Sequence, residues 1–152
     1  FEKTRQTFRA QNRDGFLVDI IQPERNPPWR KELFEAEKGD LQPSPITGLV
    51  WLENAPAISQ TVIDARGFPV TMGVPDPRAF AIHKHWLSKQ PMRGPVKARR
   101  DEAQAFAVAA LVLSEMKHLP FDGRALRMMP REIVAEAIAA FRKIPLSPPS
   151  QN

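Results

Sequence analysis

A cluster of polar residues in the second half of the chain has types and spacing suited to gripping an anion. Lys97, Arg100, Asp101 and Gln104 fall within what reads as one long helix. At about 100° per residue, Lys97, Asp101 and Gln104 share a narrow arc, with Arg100 beside it. Further along, the same arc carries Val108, Leu111 and Val112, residues suited to a core. A polar group that continues an apolar stripe is expected to be partly buried. Lys97 and Asp101 could form an i,i+4 ion pair, but with the cation nearer the N-terminus that is the weaker orientation. At a surface such a pair contributes well under about 1 kcal/mol. Two readings account better for a semi-buried Lys/Arg/Asp/Gln group: the surroundings of a phosphate or active site, or a polar network between domains.

Two more positions carry candidate chemistry. His83 and Lys84 sit on a shorter helix upstream, where Ala79, Phe80, Ile82, His83, Trp86 and Leu87 make one apolar arc. His83 is in the middle of that arc, Lys84 at its edge, and His85 on the opposite side. A single histidine on an apolar face reads first as a hydrogen-bonded core residue. His83 and His85 do not make a metal pair, since residues two apart on a helix diverge. Asp19 lies in the apolar run Phe16-Leu17-Val18-Asp19-Ile20-Ile21. A carboxylate there is costly to bury. It is either a half-exposed strand residue paired with a nearby arginine or a ligand for Mg²⁺, a hard cation that prefers carboxylate oxygen. Nothing in the chain has zinc-ligand spacing, no Gly-rich phosphate cradle is present, and no Ser/His/Asp or Cys/His arrangement is legible. Trp29, Trp51 and Trp86 are too separated in sequence to suggest a base-stacking platform.

The elements that must position these residues come in a distinct order. Residues 4–10 and 16–21 read as strands joined by Asn12-Arg13-Asp14-Gly15, with Asp-Gly supplying a positive φ. The second strand, apolar except at Asp19, reads as a buried central strand. Pro23, Pro27 and Pro28 interrupt regular structure after residue 22. Residues 29–38 read as a short helix with Leu33 and Phe34 inward, residues 39–48 as a loop, and 48–53 as a short strand or one helical turn. Residues 58–64 and 69–74 read as a second hairpin around Ala65-Arg66-Gly67. Helices then take over. Asp76 is placed as an N-cap with Pro77 at the first helical position, in a helix to about residue 89. After the break at Pro91, Gly94 and Pro95 comes the long helix, residues 96–117. A last amphipathic helix spans 130–143, with Ile133, Val134, Ala137, Ile138 and Phe141 on one face. Strands first and helices after argue for an α+β chain, a small sheet followed by a helical carboxyl-terminal layer.

Composition narrows the function classes. The chain has 152 residues, 42% hydrophobic and 26% charged, ordinary values for a soluble domain with a real core. With no cysteine it can hold no disulfide and no thiolate metal site, which fits a reducing cytoplasm. A net charge of +5 favours anionic partners such as nucleotides, nucleic acid or phosphorylated substrates. The longest apolar run, 105–113, is nine residues, against roughly 20 for a membrane span. There is no internal repeat, and the sixteen prolines cut the chain into short segments.

Three segments together resemble one bacterial family of nucleotidyltransferase-fold proteins. Val74-Pro75-Asp76-Pro77-Arg78-Ala79-Phe80-Ala81-Ile82-His83-Lys84 resembles that family's V-P-D-P-x-x-F-A-hydrophobic-H-K. Lys97-Ala98-Arg99-Arg100-Asp101-Glu102-Ala103-Gln104-Ala105 is similar to its K-x-x-[KR]-D-x-x-Q-A. Phe16 to Pro23 looks like its strand hydrophobic-V-D-hydrophobic-hydrophobic-x-P. The resemblance covers roughly residues 8–113. It implies a fold that transfers a nucleoside monophosphate from an NTP to an acceptor. In such folds an Asp-x-Asp pair and a third carboxylate hold Mg²⁺, and a Gly-Ser turn grips the triphosphate. By position Asp19 is then the third carboxylate, both the catalytic residue and the metal ligand. His83, Lys84, Lys97, Arg100, Asp101 and Gln104 become nucleotide-binding residues, with Asp101 orienting a lysine.

The departures from the pattern carry their own expectation. This sequence has neither the Gly-Ser turn nor the Asp-x-Asp pair, and both would lie before Phe1. Consecutive arginines expected after the His-Lys pair are reduced to Arg93. The expected organisation is the carboxyl-terminal part of a nucleotidyltransferase-like mixed sheet at 1–75, a helical subdomain at 76–144 and a disordered tail at 145–152. The expected protein is a fragment of a cytoplasmic, Mg²⁺-dependent nucleotidyltransferase, inactive by itself, with an NTP as ligand. Two alternatives stand beside it. One is a basic nucleic-acid-binding module without catalysis. The other is a protein-interaction domain of toxin–antitoxin type, which predicts an exposed apolar patch, for instance on the last helix.

Overall fold

The computed structural model describes residues 2–24, 40–122 and 124–145. The chain is α+β and divides into two compact units, 1–50 and 51–152. The helix expected at 29–38 and the tail from 146 onward lie outside the described residues.

The first unit holds short strands. β1 (Glu2–Lys3), β2 (Arg9–Gln11) and β3 (Leu17–Asp19) form an antiparallel sheet in that order. β4 (Ile21–Pro23) pairs in parallel with β5 (Ser44–Ile46). Residues 4–10 do not make one strand. The Thr4 hydroxyl accepts from the Gln6 amide at 3.1 Å, and the Thr4 amide bonds the Arg9 carbonyl at 3.0 Å. These local bonds start a turn that outcompetes extension. The run 16–21 also splits, because its halves have different partners. The Ile20 amide bonds the Phe8 carbonyl at 2.8 Å in the first sheet, while the Ile20 carbonyl accepts from the Ser44 amide at 2.9 Å in the second. β3 pairs only with β2 among the described residues, and Leu17 and Asp19 are exposed. Among the described residues it is an edge strand rather than the buried central one its composition suggests. β5 falls within the segment expected to be loop, because Pro43 and Pro45 mask a three-residue parallel pairing.

The second unit begins inside α1 (Leu49–Glu53) and continues with a long hairpin, β6 (Ala57–Ile63) and β7 (Pro69–Pro75). Its turn repeats the one between β2 and β3. Asn12 and Asp64 each offer a side-chain oxygen to the amides two and four residues on, at 3.0 and 2.7 Å for Asn12 and 2.8 and 2.9 Å for Asp64. In each the fourth residue is a glycine in the left-handed region, Gly15 at φ 84° and Gly67 at φ 88°. An Asx side chain that mimics a backbone turn, followed by glycine at positive φ, is a compact way to reverse a strand.

Three helices complete the unit: α2 (Pro77–Ser88), α3 (Pro95–Glu115) and α4 (Arg131–Phe141). They enclose the core of Ala79, Ile82, Ala105, Ala109, Val112, Leu126, Met129, Val134, Ala137 and Phe141. Alanines at the crossing of α2 and α3 let the backbones approach closely. This placement turns α3 away from its expected face. The buried stripe is Asp101, Ala105, Ala109 and Val112, while Leu111 is exposed and Lys97 and Gln104 face solvent. Side-chain size points to Leu111, but close helix packing selects the small residues. The apolar face of α4 is spent inside this unit, with Val134, Ala137 and Phe141 buried, so the last helix does not display the patch that the interaction-domain reading expects there.

α2 is covered on two faces, which moves both histidines inside. His83 is buried beside Trp51 and Trp86, whose rings meet at 4.9 Å although far apart in sequence. His85, expected to point outward, is buried between Phe106 and Phe141 at 5.8 and 5.5 Å. Neither of its ring nitrogens has a hydrogen-bond partner among the described residues. Burial lowers its pKa from the ordinary value; Lys89 reinforces this, while Glu136 and Glu102 oppose it. The unfolded chain therefore takes up the proton first, and folded stability falls as pH drops below about 6.5 toward the lowered folded value. His85→Leu keeps the apolar packing and removes the titration. Melting temperatures between pH 8 and 5 should decline more steeply in the wild type than in the variant; parallel curves would refute the assignment.

Candidate functional site

The motif around Asp76 is first a structural clamp. Asp76 caps α2, its carboxylate accepting from the Arg78 amide at 2.8 Å, and Pro77 takes the first helical position. The same carboxylate receives the Arg78 guanidinium at 2.6 Å from Nη2, while Arg78 Nη1 donates to the Pro120 carbonyl at 2.8 Å. Both side chains are almost wholly buried. Burial pushes the Asp76 pKa up, but the bonds from Arg78 outweigh it and hold the group below the ordinary carboxylate range. The pair ties the start of α2 to the segment leading toward α4. Sequence reasoning misses Arg78 as the structural partner of Asp76; its place two residues after a helix-capping aspartate is the available signal.

The polar cluster assembles about two helical turns further along α2. Asp101, on α3, has no exposed surface. Its Oδ1 accepts from Lys84 Nζ on α2 at 2.8 Å, and its Oδ2 accepts from Arg93, in the turn between the helices, at 2.7 Å from Nε and 2.5 Å from Nη2. Burial again raises the pKa of the carboxyl, and the hydrogen bonds from Lys84 and Arg93 overcome it, so the pKa lies below the usual value. Asp101 therefore stays ionised. Its two partners keep 19% and 24% of their side-chain surface exposed. The buried anion thus carries two cations that reach water, a local surplus of one positive charge. Lys84 also lies over the Phe80 ring, 5.5 Å from its centroid.

The surplus adjoins the start of α3. That helix begins after Gly94 with no side-chain cap, leaving first-turn amides open. An open pocket of about 340 Å³ lies there, lined by Met92, Arg93, Gly94, Pro95, Val96 and Lys97. Lys97, Arg99 and Arg100 are exposed on the first turns of the helix. Of the sequence-predicted residues, Lys84 and Asp101 are in direct contact, and Lys97 and Arg100 flank them on α3. Gln104 is exposed on α3, and His83 is buried beside Trp51 and Trp86 rather than at the cluster. Lys97 does not pair with Asp101, which is committed to Lys84 and Arg93. Arg93 completes the cluster from a loop, where helical periodicity carries no information.

Asp19 belongs to the first unit. Its two oxygens accept from Arg9 Nε at 2.5 Å and Nη2 at 2.7 Å across the β2–β3 pair, where Arg9 and Asp19 are in register. The bond from Arg9 lowers the Asp19 pKa, outweighing the slight opposing effect of burial. Among the described residues no three His, Cys, Asp or Glu side chains stand close enough to hold a metal ion. No helix of the structure is long and apolar enough to cross a membrane.

A family model described as nucleotidyltransferase matches residues 1–130. None of the curated proteins compared with the chain matches it, and neither does any solved structure.

The two buried ion pairs make separable predictions. Asp101→Asn leaves two cations facing each other without their anion, and should lower stability by about 2–4 kcal/mol in chemical denaturation. Arg78→Met should also destabilise, by unpairing Asp76 and freeing the Pro120 carbonyl. Because Asp76 and Asp101 have depressed pKa values, their contributions persist above about pH 4 and are lost as pH falls further. An Asp101→Asn chain whose acid unfolding midpoint does not move would contradict the account of Asp101.

Proposed function

The chain belongs to the nucleotidyltransferase family, and from that premise we propose that α2, α3 and the turn between them form the phosphate-facing wall of an NTP site. The observation that carries the reading is the buried Asp101 holding Lys84 and Arg93. Long cationic side chains ordinarily lose rotamer freedom when they bind an anion. Here an ionised carboxylate has already fixed both, with donors left over and partial exposure to water. The guanidinium suits the oxygens of a polyphosphate through paired N–H donors, and the ammonium acts as a point charge. Lys97 and Arg100 extend the positive field along α3, and the uncapped start of the helix adds its partial charge.

In the proposed reaction an acceptor attacks the α-phosphorus of the NTP, a bond to that phosphorus forms, and the bond to pyrophosphate breaks. Charge builds on the departing pyrophosphate oxygens. Lys84 and Arg93 would meet that charge, and Asp101 would keep both in place without contacting the nucleotide. Phosphoryl transfer depends mainly on such positioning and charge stabilisation.

Magnesium would neutralise phosphate charge in such chemistry. The described residues do not by themselves fit it: Asp19 gives both oxygens to Arg9, and no other carboxylate joins it in a metal-sized group. In this proposal Asp19 would contribute to a metal site only alongside further carboxylates, such as the Asp-x-Asp pair of related folds, and with Arg9 displaced. NTP binding by the cationic wall requires no such rearrangement.

The test is titration of the chain with a fluorescent ATP analogue, competed by unlabelled NTPs. Lys84→Met and Arg93→Met should each weaken binding by about 10- to 100-fold, the loss of one or two charge-assisted hydrogen bonds. Affinity unchanged in both folded variants would sink the proposal. Binding of single-stranded nucleic acid through the same residues, with no competition by NTPs, would favour the nucleic-acid module instead.

A further inference from the structure

Among the described residues, the hairpin of β6 and β7 has one edge partly blocked and the other open. Asp64 and Phe68 close the turn as a hydrogen-bonded pair, with the Asp64 amide on the Phe68 carbonyl at 2.9 Å. Antiparallel pairs alternate from there. Val62–Val70, Gln60–Met72 and Ile58–Val74 are therefore bonded within the hairpin, while Ile63–Pro69, Thr61–Thr71, Ser59–Gly73 and Ala57–Pro75 turn their backbone groups outward. On β7 two of these four outward positions are prolines, which have no N–H to offer a neighbouring strand. On β6 all four, Ala57, Ser59, Thr61 and Ile63, keep theirs. β6 also lacks the charged side chains with which proteins guard exposed edges.

The faces are as unequal as the edges. The bonded pairs put Ile58, Val62, Val70, Met72 and Val74 on one side, extended by Phe68, and most of that face is exposed: Phe68 by 61% and Met72 by 48%. One polar residue interrupts it, Gln60, in the middle of β6. A two-stranded hairpin with a bare apolar face is marginal by itself, and a third and fourth strand would give that face neighbours.

We propose that β6 pairs antiparallel with β6 of a second copy of this chain, about a two-fold axis through Gln60. That register makes Ser59–Thr61 and Ala57–Ile63 the hydrogen-bonded pairs between copies, which are the residues whose amides and carbonyls point outward. Gln60 then stands opposite its own counterpart in a non-bonded pair, where side chains come closest. A primary amide both donates and accepts, so it is complementary to itself on a dyad. No like charges meet along the seven-residue strand. At its ends the register brings the turn carrying Arg66 toward the segment following Glu53 of the other copy, residues of opposite charge. The product is a continuous four-stranded sheet, partly blocked at both outer edges by Pro69 and Pro75, and isologous as a two-fold interface must be.

The experiment is sedimentation equilibrium of the full chain over a range of concentrations, beside two variants whose folding is checked by thermal melting. Gln60→Lys places two ammonium groups together on the axis. Thr61→Pro removes one outward amide and leaves the hairpin's own ladder intact, as Pro69 and Pro75 do on β7. The expected result is a wild-type chain with the mass of two molecules that dissociates on dilution, and variants whose dissociation constants rise at least about tenfold. A wild-type chain with the mass of one molecule up to about 1 mM overturns the proposal. So does either folded variant that associates as tightly as wild type. If the lysine variant does not melt cooperatively, the proline variant decides.

Discussion

A carboxylate with no exposed surface organises the second unit's chemistry. Asp101 must remain charged to be satisfied, and it does so by drawing Lys84 from α2 and Arg93 from the inter-helix turn. Three segments are thereby locked at one point, and the cationic ends that reach solvent are held rather than mobile. The arrangement would be costly without both partners, because removing one side of a buried pair strands the other. The same bonds that stabilise the helix crossing therefore prepare a positive surface. A second buried pair, Asp76 with Arg78, performs the purely structural version of this task, since both of its members are almost entirely enclosed.

Close packing of α2 explains much of what surrounds that site. Alanines on α2 and α3 allow the helices to approach, and this small-residue contact rather than the larger side chains sets the rotation of α3. Lys97, Arg99 and Arg100 then face outward beside the buried Asp101. α4 covers the other side of α2 and encloses His85 with Phe141. That helix lies just beyond the family match, which ends at residue 130, yet its residues complete the core. The part of the nucleotidyltransferase-family segment that lies in the second unit and the helix after it thus share one hydrophobic interior.

Local chemistry is legible from the chain wherever it is decided by neighbours in sequence. Asp76 and Pro77 announce the start of α2, because a capping carboxylate and a residue without an amide suit a helix's first turn. Asn12 to Gly15 and Asp64 to Gly67 announce turns, because Asx side chains and glycine meet the needs of a tight reversal. The α+β order, the three long helices and the pairing of β6 with β7 follow from such signals. The family resemblance carried by residues 74–84 and 97–105 rests on the same local patterns, and it agrees with the family match over 1–130.

Contacts between distant segments were decided only by the tertiary structure. Periodicity puts Asp101 near Lys97 on one helix, but its partners come from another helix and a turn, as charge satisfaction in a buried site requires. A single apolar face is expected for α2, whereas packing on two faces buries both His83 and His85. The apolar run 16–21 suggests a central strand, yet its halves join different partners and Asp19 emerges at an edge, paired with Arg9. The sequence alone determined where helices and turns begin, through short-range caps and backbone preferences. Which carboxylates are buried, and which cations they hold, depended on long-range packing that no window of neighbouring residues contains.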